Sequence, residues 1–148
     1  MTVKEYLGQA YLLDQRIKSD TMELEELRLM SQTISSPGFE EHYNATKNTD
    51  APYVKTVEKI MEYEDLLMRE IVMLVALKNQ IWEVISKVEK PEYRTVLQYR
   101  YIHNYTWTHI ADIVKADEST VRRWHNKAIS VVALPENAIN LKVAQVCT

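Results

Sequence analysis

Apolar residues recur at Val3, Tyr6, Ala10, Leu13, Ile17, Leu24, Leu27 and Ile34, in steps that mostly alternate three and four. That spacing predicts one amphipathic helix over residues 3–34. Asp20 and Ser31 fall on the stripe where apolar residues are due. The pattern stops at Ser35. Ser35-Ser-Pro-Gly38, Asn44, Asn48, Asp50 and Pro52 mark a long surface loop at 35–52. A second stripe follows: Val57, Ile60, Met61, Leu67, Met68, Ile71, Leu74, Val75, Ile81, Trp82, Ile85 and Val88. It predicts a helix from about Tyr53 to Glu89. Two long helices joined by a loop predict an antiparallel helical hairpin over residues 1–90, coiled-coil in character. Asp20, Glu64 and Lys78 sit on the stripes. They either set register and oligomeric state from the buried side or lie at its edge, and the edge is the plainer reading.

Pro91 suits the first turn of a new helix, where its missing N–H costs nothing. That helix, 92–102, ends at the turn His103-Asn104-Tyr105. Thr106 is placed to cap a helix from Trp107 to Val114, and Asp117 to cap a last one from Glu118 to about Val132. The short helices on either side of Lys115-Ala116 fit a helix-turn-helix. Such a motif needs a small residue where the helices cross, and Ala111 supplies it between Ile110 and Val114. It needs inward residues on the second helix, and Val121, Trp124 and Ala128 have that spacing. Trp124 and Ala111 are therefore expected to be buried at the crossing. The turn position often held by glycine is Lys115. The expected domain is 91–134. The tail, 135–148, has a modest apolar pattern (Ile139, Leu141, Val143, Val146) compatible with a short helix, a strand or disorder.

The outward face of the last helix carries the candidate chemistry. With Val121, Trp124 and Ala128 inward, Ser119, Arg123 and Asn126 turn outward, flanked by Thr120, Arg122 and Lys127. Arginine donates two bonds to guanine and asparagine pairs with adenine, while lysine and the flanking arginine suit phosphate. These six residues are the predicted contacts to double-stranded DNA.

Composition narrows the alternatives. The chain has 148 residues and a net charge of −3, so it is no uniformly basic nucleic-acid binder. Residues 91–130 nevertheless carry six Lys/Arg against four acids. Only two glycines are present, which excludes Gly-rich phosphate loops, and the single Cys147 excludes an intrachain disulfide and a multi-cysteine zinc site. His103, His109 and His125 form no His-x-x-x-His pair on one helix and read as surface or phosphate-adjacent residues. The hairpin carboxylates lack the Glu-x-x-His pairs of a bundle metal site. No nucleophile–base pattern exists. The expectation is a non-enzyme without metal, cofactor or catalytic residues. No apolar run spans a membrane.

Pro91-Glu-Tyr-Arg-Thr-Val-Leu-Gln-Tyr-Arg-Tyr-Ile102, Thr106-Trp-Thr-His-Ile-Ala111 and Glu118-Ser-Thr-Val-Arg-Arg-Trp-His-Asn-Lys-Ala-Ile129 resemble region 4 of sigma-70-type factors. The whole chain, from about residue 5 to 132, resembles phage-encoded late transcriptional regulators of the RinA/ArpU type. Tyr6-Leu, Leu13-Asp-Gln-Arg-Ile17, Leu24-Glu-Glu-Leu27 and Met68-Arg-Glu-Ile71 carry that likeness in the helical part. The resemblance implies control of phage or prophage late genes, with recognition residues at Glu118, Ser119, Thr120, Arg122 and Arg123. Sigma factors usually carry a basic residue where Glu118 stands. The segments that bind core polymerase and melt promoters are absent.

The expected function is a sequence-specific DNA-binding regulator, cytoplasmic and nucleoid-associated in a bacterial host. It is expected to work as a homo-oligomer, with RNA polymerase as a further candidate partner. The alternatives are a non-enzymatic phage DNA-packaging protein and a polymerase-interaction module.

Overall fold

A computed structural model describes residues 1–34 and 52–144, and all regular structure among them is helical. The helices are α1 (Val3–Ile34), α2 (Pro52–Ser86), α3 (Pro91–Leu97), α4 (Trp107–Val114), α5 (Glu118–Val131) and the single turn α6 (Leu141–Ala144). The predicted surface loop lies outside the described residues, save Pro52, which opens α2. Among the described residues no helix is long and apolar enough to cross a membrane.

The chain groups into two compact units, residues 15–72 and residues 1–14 with 73–148. In the first, Leu24 and Leu27 of α1 and Leu67 of α2 are buried. Arg28 Nη2 donates to Glu64 Oε1 across 2.9 Å. Both partners are about half exposed, so the pair adds little stability. Asp20 is half-buried and Glu64 exposed, in line with an edge position for each. The acid that the stripe missed is Glu70, which is buried and hydrogen-bonded to Asp20.

In the second unit α1 starts with a reciprocal cap. Glu5 Oε2 accepts from the Thr2 N–H at 2.7 Å, and Thr2 Oγ1 accepts from the Glu5 N–H at 3.2 Å. That hydrogen bonding holds the Glu5 carboxyl below the usual carboxylate range. The core joins Tyr6, Leu7 and Ala10 of α1 to Leu77, Ile81, Val84 and Ile85 of α2, Leu97 and Tyr101, and Ala128 and Val132. Each helix thus contributes one face at helical spacing, and burial of these side chains supplies most of the driving force. The burial on α2 runs through Leu77 and Val84. The expected stripe positions Val75 and Trp82 are exposed instead.

Two glutamines hold the tail. Gln9 Nε2 donates to the Ile139 carbonyl at 2.9 Å and its Oε1 accepts from the Leu141 N–H at 2.9 Å. Gln80 Oε1 accepts from the Tyr6 hydroxyl at 2.8 Å and the Ile139 N–H at 2.9 Å, while its Nε2 donates to the Asn137 carbonyl. Backbone groups of residues 137–141 that no regular element satisfies are paired this way. Of the alternatives for the tail, the described part takes an irregular segment followed by the short α6.

Candidate nucleic-acid interface

The segment from Pro91 to Val131 builds a second small core within the same unit. Pro91 is the first residue of α3, as its chemistry predicts. Beyond Leu97 the chain continues as a π-helical turn, Gln98–Ile102, where the sequence suggests an uninterrupted α-helix. Val96 faces one cluster, with Ile110, Ala111 and Val121, while Leu97 and Tyr101 face the other. Asn104 then takes φ 58°, a left-handed turn that asparagine tolerates better than most residues.

Thr106 caps α4, its Oγ1 accepting from the His109 N–H at 3.2 Å. Ile110 and Ala111 are buried against Val121 of α5, and Trp107, Val114 and Trp124 pack around them. Lys115 ends α4 with φ 54° and ψ 48°, and the Ala116 N–H bonds the Ala111 carbonyl at 3.1 Å. A side chain in this region is strained, because Cβ crowds the carbonyl. Lys115→Gly is expected to stabilise the protein by about 1 kcal/mol, read as a higher urea midpoint at unchanged slope. An unchanged or lower midpoint would count against the strain. Asp117 stands at the cap position of α5, but its side chain makes no capping bond.

The inner face of α5 differs from the expected one. Val121 and Ala128 are buried, but Trp124 is only half-buried, and His125 takes the deepest polar position between them. Tyr101 Oη and His125 Nε2 are 2.6 Å apart, and the Trp107 and His125 rings meet in a T-shaped contact, their centres 4.8 Å apart. Burial pushes the Tyr101 hydroxyl up to about 12 and His125 below its ordinary value. A neutral imidazole fits this site. The surface reading of His125 is therefore corrected: helical spacing alone does not choose between positions 124 and 125, and the Tyr101 partner does. His109 and His103 are exposed, with His109 stacked on Tyr105 at 4.2 Å and His103 tilted against it.

The six predicted contact residues line the rest of α5. Ser119, Arg123, Asn126 and Lys127 are exposed, and Thr120 is half-buried. Arg123 and Lys127 have no ion pair among the described residues. Arg122 is exposed but held, since its Nη2 donates to Glu118 Oε1 at 2.8 Å and its guanidinium lies 5.5 Å from the Trp107 ring centre. Trp107 also carries Arg100 at 4.3 Å, and Arg100 Nη1 donates to the Tyr105 carbonyl. Position on the α5 helix was readable from spacing. The tether on Arg122 was not, although Glu118 stands four residues before it, the spacing of a helical ion pair.

No curated protein and no solved structure matches the chain. A family's sequence model does match it, over residues 6–133, and that range takes in α1 from Tyr6 onward and the whole of α2 to α5. The chain belongs to this family, which is described as a protein of unknown function (DUF722).

Proposed function

We propose that α4, the Lys115 turn and α5 form a helix-turn-helix that binds double-stranded DNA and reads its sequence with α5. The observation that carries this reading is the outer face of α5. Ser119, Arg123, Asn126 and Lys127 are exposed at helical spacing, on a helix whose other side is anchored by Val121 and Ala128. Base-edge donors and phosphate partners on a rigid helix are what major-groove recognition requires. The likeness to phage late regulators extends the reading from DNA binding to transcriptional control, with the packaging and polymerase-binding readings as its rivals.

Gel-shift titration tests it. Arg123→Ala is expected to weaken a selected site about tenfold more than a random duplex. Lys127→Ala is expected to weaken both about equally and to lower the salt slope by about one. Absence of wild-type binding to any duplex would favour the protein-interaction reading. Binding to a packaging site and not a promoter would favour the assembly reading.

A helical hairpin of α1 and α2 that joins two copies completes the proposal. In residues 15–72, α2 carries Val54, Met61 and Met68 at steps of seven with Val72 beside them, 42%, 63%, 62% and 62% exposed. The step of seven continues in sequence to Val75 and Trp82. A seven-residue apolar repeat on a helix face left exposed among the described residues suits a second copy of the same repeat. Light scattering is expected to report a dimer or larger species at micromolar concentration, and Met61→Glu with Met68→Glu to reduce it to monomer. A wild-type monomer would remove this part of the proposal and leave the DNA reading standing.

A further inference from the structure

We propose that Glu118 is a positioning residue that aims Arg122 at a guanine edge, so that Arg122 reads sequence and does not grip phosphate. The inference rests on the DNA-binding reading of α5. An exposed ion pair four residues apart on a helix is ordinarily a loose surface contact. Here three contacts from two helices converge. Glu118 Oε1 accepts from Arg122 Nη2 at 2.8 Å, Glu118 Oε2 accepts from Thr108 Oγ1 at 3.3 Å, and the Arg122 guanidinium lies over Trp107. Thr108 and Trp107 belong to α4, so the pair is fastened across the turn and not along α5 alone. Trp107 is itself held by Arg100 and by a T-shaped contact with the His125 ring.

The chemistry favours a base over a phosphate. Guanidinium has five donors, and Glu118 occupies one N–H, which leaves a pair for guanine O6 and N7. The carboxylate cancels most of the charge that would attract phosphate. The Arg122 hydrogen bond and charge also hold the Glu118 carboxyl below the usual range, so the pair stays ionised near neutral pH. A side chain held on one edge and one face loses less freedom when it binds a base, and its angle of approach is set in advance.

The test starts from a random-sequence duplex pool, from which wild type selects a preferred duplex. Affinities for that duplex and for the unselected pool are measured for wild type, Glu118→Ala, Glu118→Gln, Arg122→Ala and the Glu118→Ala/Arg122→Ala double variant. Circular dichroism melts check that each variant is folded. Glu118→Ala is expected to bind the unselected pool more tightly, with a salt slope steeper by about one, as a freed cation would. Its selected-to-pool ratio is expected to fall about tenfold, Glu118→Gln retaining part of it. The double variant is expected to discriminate no worse than Arg122→Ala alone, because the two residues act as one unit. Equal tightening of both duplexes by Glu118→Ala would overturn the proposal, leaving Glu118 as a mask on a phosphate contact. Undiminished discrimination by Arg122→Ala would overturn it as well. Both outcomes presuppose a wild type that discriminates. A wild type that binds no duplex would remove the DNA reading and this inference together.

Discussion

Ile110→Ala is expected to lower stability by about 3–4 kcal/mol, within the range for truncating a fully buried isoleucine. Ile110 is wholly buried at the centre of the cluster that Val96, Ala111 and Val121 complete. Three elements meet there, so no single side chain can relax into the space that truncation leaves. Equilibrium urea unfolding of wild type, Ile110→Val and Ile110→Ala measures it, the valine variant costing about 1 kcal/mol. Trp124→Ala serves as the contrast. Trp124 lies at the margin of the same cluster and keeps part of its surface in water, so its truncation is expected to cost about 2 kcal/mol. A larger loss at Trp124 than at Ile110 would mean that the tryptophan, not the isoleucine, forms the centre of the packing.

Stability is also expected to fall as pH rises from about 4.5 to about 7, by roughly 1–3 kcal/mol, through the Glu70 carboxyl and the Asp20 it interacts with. Burial, the hydrogen bond to Asp20 and the negative charge there raise the Glu70 carboxyl from its ordinary value to about 7, against a smaller opposing pull from Arg16. Among the described residues its Oε2 is buried with no hydrogen-bond partner, a geometry suited to the neutral acid. The folded protein therefore holds a proton in that window that the unfolded chain has released. Folding is favoured fully below the unfolded value, and the advantage is lost as pH climbs through about 7. Glu70→Gln keeps the shape and a neutral hydrogen-bonding group. The expected result is a flatter pH profile, with the variant more stable than wild type above about pH 7. The difference between the two profiles isolates Glu70 from Glu5 and Glu118, whose lowered values act with the opposite sign. Parallel profiles for wild type and Glu70→Gln would show that the carboxyl is ionised in the folded state.

Two long helices and three short ones were legible in the chain because helix formation is a local matter. Period, caps and punctuation are written within a few residues of one another. The α1 stripe, the Pro91 start and the Thr106 cap all follow from side-chain chemistry next to the backbone they govern. The outward position of Ser119, Arg123, Asn126 and Lys127 follows from the same arithmetic once Val121 and Ala128 face inward.

What required the tertiary structure is every choice between near-equivalent neighbours. On α2, apolar residues occupy more than one face, and only packing selects Leu77 and Val84 for burial while Val75 and Trp82 stay exposed. On α5, His125 lies deeper than Trp124 because Tyr101, brought in on the π-helical turn from 24 residues away, supplies its hydrogen bond. Gln9 and Gln80 look like surface residues until the backbone of residues 137–141 arrives to use them. Glu70 reads as one acid among many until Asp20 faces it across the helices. In each case the sequence carries the local preference, but the deciding partner is distant along the chain, and desolvation and hydrogen bonding act only once the two are brought together.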